Sequence, residues 1–190
     1  MRKVHVVIGA NFGDCGKGLM VNYFAQRYGA EALVVRFNGS AQAGHTVVLP
    51  DGQRHVFSHF GSGAFAGATT YLSKYFVCHP MLFRKERDSL RDKLLDQPQV
   101  LVDGDCPVTT PYDMILNQAL ERSRGVARLG SCGIGFNETL ERHTALGGVP
   151  FYVRNLRDPA LTRVIMGEIR RRWIPLRLQQ LGLVLTEEER

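Results

Sequence analysis

The feature that most limits the possible folds of this chain is a glycine-rich stretch at residues 9–18, which reads GANFGDCGKG. Residues 4–8, just before it, have the apolar composition of a buried strand. After it, apolar residues recur at helical spacing: Leu19, Met20, Tyr23, Phe24 and Tyr28. A glycine-rich turn between a strand and a helix leaves backbone N–H groups free to bind phosphate. The pattern therefore predicts a nucleotide-binding site.

This stretch differs from the standard phosphate-binding loop in two respects. Six residues separate Gly9 from the pair Gly16-Lys17, where the pattern G-x-x-x-x-G-K-[ST] has four, and Gly18 stands where that pattern has Ser or Thr. One alternative is that the glycines only relieve backbone strain in a tight turn. A lysine and the carboxylate of Asp14 beside the glycines favour phosphate binding instead, with Lys17 as the cation for the outer phosphates.

A second segment, residues 34–46, reads VVRFNGSAQAGHT, which predicts a strand followed by a loop of small residues. Together the two segments resemble the adenylosuccinate synthetase family, whose members join aspartate to the 6-position of a purine nucleotide. Residues 12–19 match the family's W-G-D-E-G-K-G-K, and residues 38–46 match its Q-G-G-x-N-A-G-H-T. His45 alone would be interpreted as an ordinary surface histidine, but its register within Gly44-His45-Thr46 favours a functional role.

The resemblance continues downstream and weakens after about residue 140. Later family motifs are matched at residues 62–63, 77–80, 105–107, 124–125, 129–135 and, more loosely, 151–158. Family members are more than twice as long as this chain, which corresponds to their N-terminal part. We expect residues 1–190 to form a single domain of this family, either whole or incomplete. The sequence leaves open a fragment, a shortened homologue, or a half that depends on another chain.

The predicted fold class is α/β, with a mostly parallel sheet, flanking helices and a P-loop-like nucleotide-binding architecture. Parallel strands are predicted at 4–8 and 33–37, a hairpin at 47–49 and 55–57, and a third parallel strand at 100–102. Helices are predicted at 81–95, 111–124 and 159–181, the last interrupted before Pro175.

The composition of the chain indicates which kinds of partner are expected. No apolar run in the sequence is long enough to cross a membrane, so we expect no membrane partner. The four cysteines lack CxxC spacing, which favours neither a zinc cluster nor a disulfide framework, and we expect a cytoplasmic protein. The chain has 24 basic and 18 acidic residues, with arginines concentrated after residue 154. Apolar residues recur at helical spacing there, so a solvated helix face is favoured over a nucleic-acid surface.

The resemblance implies a mechanism in which Mg²⁺ bridges the phosphates and Asp14 removes the N1 proton of the purine. Because a free carboxyl has a pKa of about 3.9, this proton should move in concert with phosphoryl transfer to O6. His45 would hydrogen-bond the transferring phosphate side, and the aspartate amine would then displace phosphate from C6. The implied catalytic residues are therefore Asp14 and His45.

The resemblance also implies the binding residues. The triphosphate, GTP or ATP, would contact Gly13, Gly16, Lys17, Gly18, Gly44, His45 and Thr46. The purine monophosphate would contact Asp14, Asn38, Gln42, Cys132 and Arg142. Mg²⁺ would be held by Asp14 and the backbone carbonyl of Gly44. In the family, the arginine near the position of Arg142 reaches the nucleotide of a neighbouring subunit, which implies a homodimer.

Two departures from the family pattern concern the purine monophosphate. Gln42 stands where the family has Asn, and Cys132 stands where it has Thr, a better hydrogen-bond donor than a thiol. These changes suggest a modified purine, so the acceptor is IMP or dGMP/GMP, the latter as in phage-type 2-aminoadenylosuccinate synthetases. The alternative is a shortened nucleotide-binding homologue without ligase activity, acting as a binding or regulatory module.

Overall fold

The structure is a computed structural model that describes residues 3–11, 13, 15–94 and 98–187. The chain divides into two compact units. The first unit comprises Met1–Phe76 and Met81–Val102, and the second comprises Val77–Pro80 and Asp103–Arg190. The expectation of a single domain over residues 1–190 stays a prediction.

The first unit contains a parallel sheet and a separate hairpin. Its elements, in chain order, are α1 (Lys17–Tyr28), β1 (Leu33–Gly39), β2 (His45–Val48), β3 (Arg54–Phe57), β4 (Thr69–Phe76), α2 (Pro80–Arg91) and β5 (Val100–Val102). The strands of the sheet lie in the order β1-β4-β5, and both pairings are parallel. The predicted α/β class with a parallel sheet is confirmed.

The hairpin forms where the sequence predicts it. Strands β2 and β3 are antiparallel, with Val47 opposite His55. Gly52 in the connecting turn has φ of 87°, which glycine adopts without strain. Val47 and Phe57 from the hairpin join a buried apolar cluster with Phe60, Ala64 and Leu90. This cluster forms the core under the hairpin.

One face of the parallel sheet is open. Its large apolar side chains are between 47% and 61% exposed: Leu33, Val35, Phe37, Tyr75 and Leu101. Val35, Tyr71 and Leu101 occupy one row across the three strands, and the rings of Phe37 and Tyr75 lie 5.2 Å apart. Parallel sheets are normally covered on both faces. Within the described part of the chain, this face is uncovered.

The prediction of a buried strand at residues 4–8 is wrong. Within the described residues this segment pairs with no strand, and Val4, Val6 and Ile8 are at least 80% exposed. The segment instead contacts α1, because the ring of His5 stacks on Phe24 at 4.2 Å. An apolar run becomes a strand only when a neighbouring strand accepts its backbone hydrogen bonds.

The second unit is mostly helical. Its helices are α3 (Pro111–Ser123), α4 (Phe136–Thr144), α5 (Pro159–Glu168) and α6 (Ile174–Leu181). Helix α3 begins with a capping box, in which Thr110 and Asp113 each accept a backbone N–H of the other, and Pro111 occupies its first position. A buried cluster packs between the helices and contains Val108, Leu116, Phe151, Ile169 and Trp173.

The predicted interruption of the last helix before Pro175 is confirmed. Residues Ile169–Trp173 form a π-helical turn between α5 and α6. Pro175 lacks the N–H that would bond to the carbonyl four residues earlier, at Arg171, and its ring crowds that carbonyl. Widening of the preceding turn relieves the conflict, and Ile169 and Trp173 remain in the core.

The structure also bears on membrane-spanning helices and on the cysteines. Among the described residues, no helix is both long and apolar enough to span a membrane. The four cysteines all lie in the described part of the chain and are free thiols.

Candidate functional site

The glycine-rich loop leads directly into the first helix. Gly16 is the N-cap of α1 and adopts a left-handed conformation with φ of 71°, which favours glycine. Lys17 is the first helical residue, and the backbone N–H groups of the first turn lie at the loop. A helix N-terminus of this kind attracts anions through its free N–H groups and its dipole. Gly13 in the same loop is exposed, and Asp14 lies outside the described residues.

The loop and the second motif meet at Gly18. A Cβ atom added to Gly18 would lie 2.6 Å from the Cβ of His45 and 3.0 Å from its Cα. Only glycine permits this approach, because any side chain would overlap His45. The first turn of α1 and the first residue of β2 are therefore in contact. Two motifs that are distant in sequence therefore lie together in the first unit.

The imidazole of His45 lies among positive charges. Partial burial lowers the pKa of His45 to about 4, and the nearby charges of Arg36 and Lys17 act in the same direction. The ring is therefore neutral at neutral pH, with one nitrogen donating a hydrogen bond and the other accepting one. A neutral imidazole can donate to a phosphoryl oxygen. Next to it, Gly44 and Thr46 are exposed.

The ammonium group of Lys17 is held against the loop. Its Nζ donates a hydrogen bond to the Sγ of Cys15 at 2.9 Å, and a Cβ atom on Gly9 would lie 2.9 Å from the same Nζ. The hydrogen bond from Lys17 lowers the pKa of the Cys15 thiol. Lys17 is thus close to the start of α1, and a stronger acceptor such as phosphate would compete with the thiol for it.

Residues 40–44, the second loop of the site, form a turn between β1 and β2. The N–H of Ala43 donates to the carbonyl of Ser40 at 3.0 Å, and the side chains of Asn38 and Gln42 are exposed. Arg36 supports this turn from inside, because its Nη2 donates to the carbonyl of Ala43 at 3.0 Å. The sequence interpretation missed Arg36. The signal was a charged residue at an inward position of an otherwise apolar strand.

A buried carboxylate lies in the same unit. Glu86 accepts hydrogen bonds from the N–H groups of Ser58 and His59 at 2.8 and 2.7 Å, and the Nε2 of His55 lies 3.6 Å from it. Burial alone would raise the pKa of Glu86, but the hydrogen bonds from Ser58 and His59 and the nearby imidazole of His55 outweigh burial and hold the pKa well below its ordinary value. Glu86 also interacts electrostatically with Arg36.

Cys132 lies in an open cleft of the second unit. The cleft is lined by Gln118, Arg122, Arg128 and the loop of residues 130–133. The carboxylate of Glu121 accepts hydrogen bonds from the N–H groups of Gly130 and Ser131 at 3.1 and 3.3 Å. An anionic group therefore already binds two backbone N–H groups of this loop, and the thiol of Cys132 is exposed.

The structure does not support a role for Arg142 as a nucleotide contact. Arg142 is fully buried, and its guanidinium donates to both carboxylate oxygens of Asp113 at 2.8 and 2.9 Å. It also donates to the carbonyls of Val108 and Val149, each at 2.7 Å. Every nitrogen of the guanidinium thus bonds to a protein acceptor. Arg142 thus belongs to a buried ion pair inside the second unit, an arrangement typical of a structural role, and its expected contact with the nucleotide of a neighbouring subunit stays a prediction.

Six of the expected site residues therefore meet around the start of α1 and β2: Gly16, Lys17, Gly18, Gly44, His45 and Thr46. Asn38 and Gln42 lie at the end of β1 and in the loop that follows it. The remaining described candidates, Cys132 and Arg142, lie in the second unit. Within the described part of the chain, no group of three or more His, Cys, Asp or Glu side chains is arranged to hold a metal.

Comparison with known proteins gives consistent matches. The family model for adenylosuccinate synthetase matches residues 6–166. The adenylosuccinate synthetase of Mycobacterium leprae is 32% identical over 145 residues, which are 76% of this chain and 33% of that protein. That of Mycobacterium tuberculosis strain H37Rv is 31% identical over 155 residues, or 81% of this chain and 35% of that protein. The chain thus spans about a third of the length of these relatives.

Two solved structures share the fold. The fully ligated adenylosuccinate synthetase of Plasmodium falciparum superposes with a TM-score of 0.71 at 19% identity, covering 95% of this chain and 41% of that one. The succinoaminodeoxyadenylate synthetase of cyanophage S-2L, bound to dGMP and dATP, superposes with a TM-score of 0.56 at 20% identity. The superposition covers 87% of this chain and 47% of that one. At these identities the likeness supports the fold. With the family model matching most of its length, the chain belongs to the adenylosuccinate synthetase family.

Proposed function

We propose that this chain carries the phosphate-binding part of a carbon–nitrogen ligase in purine nucleotide synthesis. The ligase would join L-aspartate to C6 of a purine monophosphate through a 6-phosphoryl intermediate, driven by hydrolysis of GTP or ATP. The observation that carries the proposal is the contact between Gly18 and His45. It brings an imidazole to the helix N-terminus where a triphosphate would bind.

The reaction requires the purine oxygen to become a good leaving group. Oxide is a poor leaving group, whereas phosphate is a good one, so O6 must first accept the γ-phosphoryl group. Attack by O6 requires loss of the N1 proton, and Asp14 is the proposed base. Because its ordinary pKa is about 3.9, the proton would transfer as the new P–O bond forms. The amine of aspartate then attacks C6 and expels phosphate.

His45 is proposed to stabilise the transferring phosphoryl group. Since its pKa is lowered to about 4, the imidazole is neutral and donates one N–H without bringing a charge of its own. Lys17 supplies the positive charge on the same side. Bound phosphates would draw the ammonium of Lys17 from the thiol of Cys15, because a charged oxygen is the stronger acceptor. The N–H groups of Gly13, Gly16 and Gly18 would cradle the phosphates.

The donor set fits a magnesium ion that is shared with the nucleotide. A carboxylate at Asp14 and the carbonyl of Gly44 are oxygen donors of the kind that Mg²⁺ prefers, and Gly44 is exposed. Mg²⁺ commonly binds one or two protein oxygens together with substrate phosphates, so a dedicated cage of side chains is unnecessary. When bound, the ion would neutralise charge on the phosphates. Thr46, which follows on β2, would complete the triphosphate contacts.

The acceptor nucleotide is proposed to be IMP or dGMP/GMP. Asn38 and Gln42 are exposed around the end of β1, where side chains that contact a purine nucleotide are expected in a parallel sheet. Cys132 lies in a cleft that also contains Arg122 and Arg128, whose charges suit a phosphate. The dGMP and dATP bound to the cyanophage synthetase support including both in a substrate screen.

A homodimer and a cytoplasmic location complete the proposal. The four free thiols suit a reducing compartment. With Arg142 buried, the homodimer lacks the residue that first suggested it, and its support is the family resemblance. Sedimentation velocity at several protein concentrations tests it directly. A single monomer-sized species at every concentration, with and without nucleotides, rejects the homodimer.

The deciding experiment is a mass-spectrometric screen for the ligated product. The protein is incubated with aspartate, Mg²⁺, each of IMP, GMP and dGMP, and each of GTP, ATP and dATP. We expect one combination to yield the succinyl nucleotide and inorganic phosphate. Replacement of Asp14 by Asn should abolish product while nucleotide binding persists. Product formation that is unaffected by Asp14→Asn shows that the proposed base is wrong.

The alternative is a nucleotide-binding module without ligase activity. The chain spans about a third of its relatives' length, and a module needs only the nucleotide-binding residues found in that part. Binding of GTP or ATP without product in any combination of the screen supports the module. Loss of that binding in Lys17→Met would then assign the phosphate loop as its site.

A further inference from the structure

Arg36 is a buried cation with incomplete hydrogen bonding. It lies on β1, is 6% exposed, and its guanidinium carbon is 5.3 Å from the centre of the Phe76 ring. Its Nη2 donates to the carbonyl of Ala43, whereas its Nη1 has no partner among the described residues. Burial of a charge is unfavourable unless its hydrogen bonds are satisfied. The presence of this arginine therefore calls for an explanation beyond packing.

The other buried arginine provides a useful contrast. Arg142 is also buried, and all three of its guanidinium nitrogens donate to the carboxylate of Asp113 or to backbone carbonyls. That is the expected pattern for an arginine whose role is structural. Arg36 keeps part of its donor capacity unused, and the Oγ of Ser40 on the same turn is likewise buried and has no partner in the described part of the chain.

The hydrogen bond of Arg36 fixes the peptide that joins Ala43 to Gly44, just before the predicted catalytic residue His45. The carbonyl of Ala43 belongs to the same planar peptide as the N–H of Gly44, which donates to the carbonyl of Gln42 at 3.1 Å. A fixed orientation of this peptide sets the positions of Gly44 and His45. His45 can move very little, because it is packed directly against Gly18. A shift of a few tenths of an ångström would disturb the contact.

We propose that Arg36 is a positioning residue for the triphosphate site, which it orders by holding the carbonyl of Ala43. Through this peptide it keeps the carbonyl of Gly44 and the imidazole of His45 at the start of α1. The inference rests on the proposed function of that site. A guanidinium suits the task, because it stays charged and can hold one acceptor while other donors remain available.

The competing explanation is that Arg36 only balances the charge of Glu86. The two groups interact electrostatically within the first unit. In that case, loss of Arg36 would lower the stability of the protein but would leave the second loop and nucleotide affinity unchanged in the fraction that is folded. The two roles therefore differ in what the folded variant does.

The test compares Arg36→Met, which removes every donor, with Arg36→Lys, which keeps a charge and a donor. Arg27→Met on the exposed face of α1 is the matched control, since the interactions of Arg27 in the described part of the chain are with the ring and hydroxyl of Tyr23. Triphosphate analogues that resist hydrolysis are titrated calorimetrically at a temperature where each variant is folded. We expect about tenfold weaker binding for Arg36→Met and recovery to within about threefold for Arg36→Lys. The control should bind as the parent protein does.

A second readout needs no nucleotide. The amide resonances of Gly44 and His45 should move in Arg36→Met and stay in place in Arg27→Met. If the parent protein binds no triphosphate, the proposed function fails, and these resonances still decide the role of Arg36. Unchanged resonances, or losses of affinity that are equal in Arg36→Lys and Arg36→Met, overturn the inference. Should Arg36→Met not fold, Arg36→Gln takes its place with the same expected shifts.

Discussion

Gly18 at the start of α1 and His45 at the start of β2 are in contact, and a methyl group on Gly18 would lie 2.6 Å from the Cβ of His45. Real Cβ atoms do not approach one another so closely, and the nearest atoms belong to β-carbon and backbone positions that cannot rotate away. The absence of a side chain at Gly18 is thus what lets the glycine-rich loop and the segment that contains His45 lie in contact.

Gly18→Ala should destabilise the protein, although alanine is the better helix former. Alanine in place of glycine inside a helix ordinarily stabilises by roughly 1 kcal/mol. Here the new methyl group would displace His45 and the strand that follows it. We expect a lower Tm, measured by thermal unfolding. Triphosphate binding should weaken by about tenfold or more, measured by calorimetry.

Gly167→Ala in α5 is the control for this substitution. The nearest atoms to a new methyl group there are the guanidinium tip of Arg171, starting at 3.0 Å, and this exposed tip can shift while losing at most a surface ion pair with Glu168. Its Tm should stay the same or rise. If Gly18→Ala instead matches the parent protein in Tm and affinity, the close contact is not a feature of the molecule in solution.

The imidazole of His45 should stay neutral down to acidic pH. Partial burial, with Arg36 and Lys17 nearby, lowers its pKa to about 4. An NMR titration of the imidazole should therefore have a midpoint near 4, and a bound triphosphate should raise it, because negative charge favours the imidazolium. His45→Gln identifies the signal by removing it. A midpoint near the ordinary value of about 6.5 would contradict this environment.

The same shift has a consequence for stability. The unfolded chain protonates this imidazole at higher pH than the folded chain does, because the folded pKa of His45 is lowered from 6.5 to about 4. The contribution of His45 to folding is therefore complete above pH 6.5 and declines as the pH falls toward 4. The free energies of unfolding of the parent protein and of His45→Gln, measured in urea across this pH range, should therefore become more similar at low pH.

The residue types of the site could be predicted from sequence because short motifs carry them. Glycines at a helix start, a following lysine and a Gly-His-Thr ending are local signals, and their shared position at α1 and β2 follows the motif order. Arg36 and Arg142 show the limit of such signals. Whether a buried arginine is fully paired depends on acceptors that the fold brings from distant positions, such as Asp113 for Arg142.

The same distinction between local and long-range signals applies to the fold. The hairpin, strand β5 and helices α2 and α3 follow from turn residues, Pro at a helix start and apolar spacing, all of which act locally. Strand β4 and helix α4 were not predicted. Strand β4 has the mixed sequence TTYLSKYF, and it forms because β1 and β5 pair with both its edges. Residues 4–8 have better strand composition but lack such neighbours in the described part of the chain.

Glu86 should make the first unit sensitive to acid. Burial alone would raise its pKa, but the interactions with His55, His59 and Ser58 outweigh burial and hold the pKa below 4.5. A carboxylate with a depressed folded pKa stabilises the protein above its unfolded pKa, and this contribution is lost as the pH falls through the folded value. Glu86→Gln should cost about 2–4 kcal/mol at neutral pH, measured by urea unfolding.

The cost of Glu86→Gln should shrink as the pH falls below 4.5, since the unfolded parent chain then binds a proton at Glu86 while the folded protein still holds the carboxylate charged. Asp88→Asn on the same helix is the control. Its side chain is 47% exposed and forms surface ion pairs with Arg87 at 3.2 Å and Arg84 at 3.9 Å, so its loss should change stability by less than about 1 kcal/mol at either pH. A cost for Glu86→Gln that is the same at neutral and acidic pH would show that the carboxylate is not charged in the fold.

Arg142 should behave as part of the core of the second unit. Arg142→Met leaves the carboxylate of Asp113 buried without its cation, and loss of one partner of a buried pair costs about 3–5 kcal/mol. The only tryptophan in the sequence, Trp173, is buried in the same unit, so its fluorescence reports the unfolding of that unit in urea.

Asp113→Asn should be costly for the same reason, and the double variant Arg142→Met/Asp113→Asn should cost less than the two single changes added together. That coupling is the signature of a direct pair. Asp113 also caps α3 through Thr110, so part of its own cost will remain in the double variant. A nucleotide-binding arginine would behave in the opposite way. If Arg142→Met is about as stable as the parent protein and binds the purine monophosphate more weakly, Arg142 contacts the nucleotide after all.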